Sequence, residues 1–377
     1  MGDFRALICG GGVAAVEGLL RLRAVAGDSV AITLLAPNEH FVYRPLAVRE
    51  AAGFEPARRC RLQAIVEHAA ADWVRDTLAG VDPEQQMART GEGRELPYDA
   101  LLVAVGGAQH VDLEHAIAFN DADAPAVYEH VVGDVEAGEA RSVAFVVPEG
   151  PVYPLPVYEL ALMTAAAAER AGVGRPKLSI VTPEPVPLAA FGSGVGITVT
   201  GLLAAAGIRV YASATAFAPG AHELLIQPQG VELSADRVVS MPRISGPHID
   251  GLRVTGSAGF IPIDSHCRVP GTNGRVFAAG DATAFPIKHG GLGAQQADAA
   301  VAVIALLAGG SAAAPPFQPE IRGKLLTGGE PLYLSATIVG SEGFNSEMSH
   351  TAPWPIDDKI VAEELGAFLA AQDAPHG

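Results

Sequence analysis

A glycine-rich turn close to the N-terminus has the residue types and spacing that can hold a phosphate. Gly10, Gly12 and Ala15 fit the pattern G-x-G-x-x-G/A between an apolar run, Arg5–Cys9, and a helical run that starts at Val13. The first glycine permits a tight turn, the second lets a pyrophosphate approach the backbone, and the small third residue lets the helix pack on the sheet. The helix N-terminus adds N–H donors and the positive end of its dipole. Such turns also arise for packing alone, but the placement after a strand predicts a dinucleotide site.

One part of the usual dinucleotide pattern is missing at the end of the second strand-like run, Val30–Leu35. A carboxylate normally follows that strand and binds a ribose hydroxyl, whereas this chain has Ala36. Asn38 or Glu39, just beyond the strand end, is the candidate replacement. The adenosine half of the predicted site is therefore its less regular half.

A second motif distinguishes between two kinds of dinucleotide. An apolar strand-like run ends in Gly280-Asp281, so a carboxylate stands beside a backbone position that a ligand can approach closely. FAD has a ribityl chain whose hydroxyls such an aspartate can accept, and NAD has no equivalent group. The helix that starts at Gly290 and Gly291 can face the flavin, and Lys288 adds positive charge that favours the anionic reduced flavin. The motif predicts FAD; the alternative is a turn aspartate that caps a helix.

Composition bounds the classes of protein to which the chain can belong. Its 377 residues are enough for two or three domains, and 49% hydrophobic with 18% charged residues is typical of a well-buried globular protein. The formal net charge of −17 disfavours nucleic acid and anionic membranes as partners, since both attract positive surfaces. No apolar run reaches the ~20 residues that span a bilayer, and the N-terminal stretch does not resemble a secretory signal. We therefore predict a cytoplasmic protein without stable membrane insertion.

The cysteines are odd in number and scattered. Cys9, Cys60 and Cys267 show no C-x-x-C spacing, which is typical of a reducing compartment rather than a disulfide framework. We expect Cys9 in the core, Cys60 on a solvated loop and Cys267 on a strand near the surface. The histidines show no metal-ligand spacing either, so no metal site is predicted.

Strand-like and helical runs alternate along most of the chain, which implies parallel sheets covered by helices. We predict an α/β fold of two Rossmann-like dinucleotide-binding domains, one inserted in the other, plus a small C-terminal α+β region. The predicted limits are 1–110 and 244–310 for the FAD-binding domain, 111–243 for the inserted domain and 311–377 for the C-terminal region. That last region includes an amphipathic helix over Asp358–Ala371.

These motifs resemble the pyridine nucleotide–disulfide oxidoreductase superfamily, and within it the branch of type II NADH dehydrogenases and sulfide:quinone oxidoreductases. The resemblance extends over most of the chain, to about residue 310. It implies FAD in a domain split by the insertion. The matching residues are the Gly10–Ala15 turn, the segment Phe41–Pro45, the segment Tyr98–Gly106, the Gly280-Asp281 strand end and Lys288–Gly291. We add Val13, Arg44, Val74 and Gly106 to the expected cofactor contacts.

The inserted domain departs from the relatives that oxidise NADH, which carry a second G-x-G-x-x-G there. The predicted strand Ser142–Val147 runs instead into Pro148–Pro156, which has one glycine, and prolines lack the N–H donors that cradle a pyrophosphate. The loop resembles the proline-rich loop of sulfide-oxidising relatives. Those relatives use cysteines beside the flavin, and this chain has none in the Pro148–Glu159 or Lys288–Gln295 loops. Both NAD(P)H binding and a cysteine relay are therefore disfavoured.

Three residues are candidates for catalysis. Lys288 and His289 border the predicted flavin. In the resembled family, a glutamate at the position of Glu159 lies near the flavin and is linked to proton movement. A carboxylate partly desolvated between domains can have a pKa raised toward neutrality. The alternative for Glu159 is an acid in the first turn of a helix that stabilises the helix dipole.

The sequence therefore predicts a FAD-dependent oxidoreductase that serves electron transfer. Two electrons would pass from a small-molecule donor to a quinone-like or protein acceptor. An NAD(P)H dehydrogenase with a diverged nucleotide site and a flavin-binding module without turnover stay open as alternatives. The C-terminal helix is expected to pack against its own domain or against the second subunit of a homodimer rather than lipid.

Overall fold

The structure is a computed structural model, and it describes residues 4–120, 124–311, 313–339, 343–354 and 359–373. Its α-helices are α1 (Val13–Ala26), α2 (Ala47–Ala51), α3 (Leu62–His68), α4 (Ala124–Val127), α5 (Gly133–Glu136), α6 (Leu155–Arg170), α7 (Ser193–Ala205), α8 (Gly290–Leu307) and α9 (Glu363–Asp373). Its β-strands are β1 (Phe4–Cys9), β2 (Val30–Leu35), β3 (His40–Val42), β4 (Arg59–Arg61), β5 (Asp72–Val74), β6 (Leu78–Asp82), β7 (Met87–Thr90), β8 (Glu95–Pro97), β9 (Ala100–Val103), β10 (Ala108–His110), β11 (Ile117–Ala118), β12 (Ser142–Val146), β13 (Lys177–Val181), β14 (Ile208–Tyr211), β15 (Thr215–Gly220), β16 (Glu223–Gln227), β17 (Val231–Ser234), β18 (Arg237–Ser240), β19 (Arg243–Ser245), β20 (Val276–Ala278), β21 (Glu320–Leu325), β22 (Leu332–Val339) and β23 (Gly343–Ser349).

The first parallel sheet carries both cofactor motifs. Its strand order is β20-β9-β1-β2-β5, and every neighbouring pair is parallel. The inner strand β9 and its neighbour β20 are fully buried apolar runs, as expected of strands covered on both faces. Because parallel strands end at one edge, the turn after β1 and the turn after β20 lie close together, with the end of β9 between them.

The second parallel sheet has the order β11-β18-β12-β13-β14. All its strands come from the chain between β9 and β20, so one sheet is inserted in the sequence of the other. In both sheets, strands alternate with helices along the chain. The predicted α/β class with two Rossmann-like units is confirmed. The domain limits themselves stay a prediction.

Three antiparallel sheets of three strands each accompany the two parallel sheets. The strands β6-β7-β8 and β15-β16-β17 form two meanders, and β21-β22-β23 forms the third sheet near the C-terminal end. The last of these packs against α6 and α8, so the C-terminal region reaches the edge where both parallel sheets end.

Helices α1 and α8 pack along each other over the first sheet. Gly18 lets α1 lie close to the sheet, because a Cβ there would lie 2.7 Å from Leu102 Cδ2 of β9. Among the described residues, α8 is the one helix long and apolar enough to cross a membrane, with a mean hydropathy of 1.3. Two-thirds of it (67%) is buried inside the protein, which is typical of a core helix.

The C-terminal helix α9 is anchored to α1 by a buried carboxylate. Glu17 accepts the backbone N–H groups of Glu364 at 3.0 Å and Leu365 at 2.7 Å, two of the donors that a helix N-terminus leaves without intrahelical partners. The apolar side chains of Leu365 and Phe368 are buried in the core that α1 and α8 share. The expected packing of this helix against its own domain is thus observed.

Two expectations about the cysteines were wrong. Cys60 lies on β4, paired with Phe41 of β3, and not on a loop. Cys267 is fully buried in a turn, with a φ of 60°, and burial raises the pKa of its thiol to about 12. Cys9 is buried in the core as expected, and burial raises the pKa of its thiol too. Such protonated, enclosed thiols are poor nucleophiles.

Candidate functional site

The glycine turn after β1 leaves an open space at the start of α1. Gly10 has a φ of 130°, and a Cβ there would lie 2.1 Å from the Ala104 carbonyl oxygen, so only glycine fits. Gly12 is the N-cap of α1, and no atom lies within 4 Å of the position that its Cβ would take. Ala15 is fully buried beneath the turn. The N–H groups of the first helical turn therefore face a space that an anion can occupy.

Asn38 lies beside this turn, whereas Glu39 is paired with a different residue. The Asn38 side-chain oxygen is 3.5 Å from the position of a Cβ on Gly11. Glu39 is exposed and pairs with Arg75 at 2.7 Å, which holds the pKa of its carboxyl below the ordinary value. Of the two candidate replacements for the missing carboxylate, Asn38 has the suitable position. Val74, at the end of β5, accepts the N–H of Ala36 at 3.1 Å and forms the outer edge of this region.

The strand end at Gly280 is tied to α8 by a residue that the sequence reading missed. Gly280 has a φ of 74° and donates its N–H to Gln296 Oε1 at 2.7 Å. A Cβ on Gly293 would lie 3.1 Å from the Gly280 Cα, so the helix and the turn are in direct contact. Thr283 donates its hydroxyl to the Gly280 carbonyl at 2.9 Å. Gln296 is a buried polar residue in an apolar helix, which is the signal that could have identified it.

Asp281 has a carboxylate without a hydrogen-bond partner in the described part of the chain. Burial raises the pKa of this carboxyl, and the positive charges of Lys288 and Arg44 oppose the rise. Arg44, from the segment after β3, and Lys288, before α8, thus converge on Asp281. Because positive charges face this carboxylate but no hydrogen bond of the described chain occupies it, it is suited to accept hydrogen bonds from a ligand.

The two glycine turns belong to one site. A Cβ on Gly280 would lie 3.3 Å from Ala14 Cβ, and a Cβ on Gly290 would lie 3.7 Å from Val13 Cγ2. Gly106, after β9, has a φ of 79° with nothing within 4 Å of a Cβ position. The starts of α1 and α8 and the end of β9 therefore surround the same space.

Lys288 is buried and held within the protein. Its Nζ donates to the Thr283 carbonyl at 2.5 Å and lies 3.6 Å from the centre of the Phe260 ring. Burial lowers the pKa of its ammonium to about 8. The charge of Lys288 therefore acts on Asp281, and its hydrogen bond is directed at the turn that carries Asp281.

His289 caps α8 and carries no charge near neutral pH. Its Nδ1 accepts the N–H of Leu292 at 3.4 Å, and burial together with Lys359 lowers the pKa of the imidazole to about 3. Gly291 is close to this ring, since a Cβ there would lie 2.9 Å from His289 Cε1. A neutral cap positions the start of α8, and this geometry favours a structural contribution of His289 over proton donation.

Glu159 forms a buried ion pair with a residue from the C-terminal segment. Its Oε2 accepts from Lys359 Nζ at 2.5 Å, and its Oε1 accepts the N–H of Leu326 at 2.9 Å. Both charged side chains are nearly inaccessible. Burial raises the pKa of the Glu159 carboxyl, and Lys359 opposes the rise. Because α6 begins at Leu155, Glu159 lies beyond the first helical turn, so the helix-dipole explanation weakens.

Lys359 could not be found from the sequence. It stands in an acidic stretch with no motif around it, and its partner is 200 positions away. Its charge also acts on His289, so the ion pair lies on the same side of the protein as the start of α8. The inserted unit, the first sheet and the C-terminal segment thus meet at this point.

At the equivalent edge of the second sheet, a glutamate stands where a ribose-binding carboxylate is usual, but neighbouring residues of the protein bind it. Glu184 follows β13 and accepts hydrogen bonds from Tyr158 Oη at 2.7 Å, from the Ala189 N–H at 3.0 Å and from Thr182 Oγ1 at 3.1 Å. Burial raises the pKa of this carboxyl. A nucleotide ribose finds no free carboxylate at Glu184.

One cavity of the described chain lies away from the predicted site residues. It has a volume of about 600 Å³ at the ends of β12 and β18, with Pro148 and Met241 among its lining residues. An Arg243–Asp112 ion pair, 2.5 Å between Nε and Oδ2, stands at its wall. The space at Gly12 and Asp281 has the more specific chemistry, and we base the functional argument on it.

Comparisons with known proteins agree with this architecture. No family model matches the chain. A mouse protein, "Sulfide:quinone oxidoreductase, mitochondrial", is 30% identical over 105 residues, which are 27% of this chain and 23% of that protein. "Sulfide-quinone reductase" of Aquifex aeolicus is 23% identical over 298 residues, 74% of this chain and 68% of that protein.

A solved structure of the sulfide:quinone oxidoreductase from Aquifex aeolicus superposes with a TM-score of 0.81 at 19% identity, and the match covers 92% of this chain and 87% of that one. At this identity the superposition establishes the fold. The chain and that sulfide:quinone oxidoreductase structure therefore share a fold.

Proposed function

We propose that the chain is a FAD-dependent oxidoreductase that passes two electrons from a small-molecule reductant to a quinone-like or protein acceptor. The observation that carries this proposal is the convergence of an open, donor-rich turn at Gly12 with the carboxylate of Asp281, which no hydrogen bond of the described chain occupies. The first fits a pyrophosphate and the second fits the hydroxyls of a ribityl chain. FAD, when bound, supplies the two-electron chemistry.

The residues of the chain would bind and orient the cofactor in distinct ways. The first turn of α1 would hold the pyrophosphate, and Asn38 would reach the adenosine ribose. Asp281, flanked by Lys288 and Arg44, would accept from the ribityl hydroxyls. The N-terminal end of α8 would stabilise negative charge on the isoalloxazine.

Electron donors other than NAD(P)H are favoured by the second sheet. The Pro148–Pro156 loop has few N–H donors, and Glu184 is bound to Tyr158 instead of being free for a ribose. A quinone acceptor is supported by the names of the relatives and by the buried Glu159–Lys359 pair, which can hold a proton close to the site. A quinone takes up two electrons and two protons to become a hydroquinone, and the reductant loses the two electrons. We propose that the protein works in the cytoplasm.

The cofactor assignment is tested by the affinity for FAD. Asp281→Ala should weaken FAD binding by about tenfold to more than a hundredfold, because a charged acceptor lost from a buried contact costs roughly 1.5–3 kcal/mol. Fluorescence titration of the apoprotein with FAD measures this, with Asp28→Ala as the control, since Asp28 is fully exposed at a helix end. Equal affinities of the wild type and Asp281→Ala would refute the assigned site.

A further inference from the structure

Two neighbouring glutamines of α8 bind different parts of the protein. Gln295 exchanges two hydrogen bonds with the backbone of Glu320 at the start of β21: its Nε2 donates to the carbonyl at 2.9 Å, and its Oε1 accepts the N–H at 3.0 Å. Gln296 binds the first sheet instead, where its Oε1 accepts the N–H of Gly280 at 2.7 Å. The helix thus directs one amide to the C-terminal sheet and one to the turn that carries Asp281.

The amide of Gln296 is enclosed by the protein, since only 1% of the residue is exposed. A buried amide lowers stability unless it is hydrogen-bonded, and the bond to Gly280 meets that need. Thr283 completes the contact from within the turn, because its hydroxyl donates to the Gly280 carbonyl at 2.9 Å. An apolar residue at position 296 would leave the Gly280 N–H without this acceptor.

Close packing holds the same turn from two sides. A Cβ on Gly293 of α8 would lie 3.1 Å from Gly280 Cα, and a Cβ on Gly280 would lie 3.3 Å from Ala14 Cβ of α1. Gly293 and Gln296 are three positions apart, so they share one face of the helix. Gly280 is therefore held between α1 and this face of α8.

Asp281 follows this clamped residue directly. Its side chain is half-buried, so a ligand can reach it, and no hydrogen bond of the described chain occupies the carboxylate. The charges of Lys288 and Arg44 act on the carboxyl. Where the carboxylate stands therefore depends on the backbone of the preceding glycine.

We propose that Gln296, with Gly293 beside it, positions the Gly280-Asp281 turn so that the Asp281 carboxylate meets the ribityl hydroxyls of FAD. This inference rests on the proposed function. Gln296 is a positioning residue, since its enclosed amide acts through the backbone of Gly280. A shift of the turn would weaken the bonds to FAD, because hydrogen bonds lose strength as their distance and angle depart from the optimum.

The test compares Gln296→Met with Gln295→Met. Methionine is flexible and suits apolar surroundings, so each variant removes one amide from α8 and keeps a long side chain. Gln296→Met should weaken FAD binding by about fivefold to tenfold, the value of one hydrogen bond, in a fluorescence titration of the apoprotein. Gln295→Met should bind FAD as the wild type does, although both variants should melt at a lower temperature.

A double-variant cycle separates positioning from a general loss of stability. In the Asp281→Ala background the carboxylate is gone, so Gln296→Met should weaken FAD binding by less than about twofold further. Visible circular dichroism at saturating FAD gives a second readout. The spectrum of the bound flavin should change in Gln296→Met and stay that of the wild type in Gln295→Met.

Gly293→Ala tests the same contact without removing a hydrogen bond. Its Cβ would press on Gly280 Cα, so the turn must shift, while alanine favours the helix. FAD binding should weaken by about threefold or more as the bonds to the ribityl chain lengthen. Gly201→Ala in α7 is the control, since nothing lies within 4 Å of its Cβ position. This pair carries the test if Gln296→Met does not fold.

Three results would overturn the inference. The first is wild-type FAD affinity in Gln296→Met or, if that variant does not fold, in Gly293→Ala. The second is an equal loss of affinity from Gln296→Met with and without Asp281, since Gln296 would then not act through that carboxylate. The third is an equal loss in Gln295→Met and Gln296→Met, which would assign the effect to α8 as a whole. A wild-type protein that binds no FAD would instead refute the proposed function.

Discussion

The loops after β1 and β12 hold equivalent positions in the two parallel sheets but differ in chemistry. After β1, the turn at Gly10 and Gly12 leaves space in front of a helix N-terminus. After β12, the corresponding loop runs through prolines from Pro148 to Pro154 and places Tyr153 against His289. A cradle of N–H groups at one sheet is thus a packed, donor-poor loop at the other.

The ends of the second strands differ in the same sense. Asn38, after β2, is exposed beside the glycine turn, whereas Glu184, after β13, is bound by Tyr158, Thr182 and Ala189. The comparison teaches that a Rossmann-like sheet does not by itself indicate a nucleotide, since the residues at its edge decide what can bind. We infer that one sheet keeps the cofactor and that the other contributes side chains to the acceptor side.

The largest expected effect comes from filling the space in front of the glycine turn after β1. Gly12→Leu should lower FAD affinity by roughly a hundredfold or more, because the new side chain enters the space of the pyrophosphate. Folding should be preserved, since Gly12 has an extended backbone that leucine adopts readily, with no atom near its Cβ position. FAD titration of the purified apoprotein gives the affinity, and circular dichroism checks the fold.

The matched control for this change is Gly174→Leu. Gly174 is exposed in the loop between α6 and β13 and also has nothing near its Cβ position. It should bind FAD as the wild type does. If Gly12→Leu binds FAD normally, the glycine turn is a packing feature and the comparison between the two sheets fails.

The second prediction tests whether a residue of the inserted unit takes part in turnover. Glu159→Gln keeps the shape and removes the titrating charge, so turnover with a quinone acceptor should fall at least ~10-fold at unchanged FAD content. Burial raises the pKa of Glu159, so the rate of the wild type should depend on pH above the ordinary range of a glutamate, and this dependence should vanish in the variant.

A loss of stability is the competing explanation, because Glu159→Gln leaves the buried Lys359 without its counter-charge. The double variant Glu159→Gln/Lys359→Met removes both charges and should recover stability without recovering the rate. A wild-type rate and pH profile in Glu159→Gln would show that Glu159 only pairs with Lys359 and has no part in turnover.

The smallest effects separate the two strand ends. Asn38→Ala should weaken FAD binding by about fivefold to tenfold, the value of one hydrogen bond, with little change in stability. Glu184→Ala should instead lower stability and leave FAD binding unchanged. It leaves Tyr158 Oη and the Ala189 N–H without their acceptor, at a cost of roughly 1–3 kcal/mol in the free energy of unfolding. Urea denaturation and FAD titration of both variants measure the pair. A loss of FAD affinity in Glu184→Ala would contradict the assignment.

The sequence predicted the parallel sheets well because their strands are continuous apolar runs between turn residues. The range of β2 was predicted to the residue, and α1 and α8 begin where they were expected. The antiparallel strand β21 was missed, since it alternates half-buried and buried residues and contains glycine and charged residues. Such short amphipathic runs are hard to distinguish from loops without their partners.

The candidate site divides in the same way. Gly12, Gly280 and Asp281 could be identified because local spacing carries their chemistry. Lys359 could not, because its contact depends on tertiary packing that no local pattern encodes. His289 was predicted to act on the flavin from its position in the sequence, and only the structure gives it the cap of α8 and a lowered pKa.

Native mass spectrometry of the wild-type protein titrated with FAD and NADH tests the difference between the two sheets most directly. We predict one FAD per chain and no bound NADH at concentrations that saturate ordinary dehydrogenases, because the second sheet lacks the N–H cradle and its carboxylate is occupied. A complex that holds FAD and NADH together, or a chain that takes up no FAD, would contradict the account.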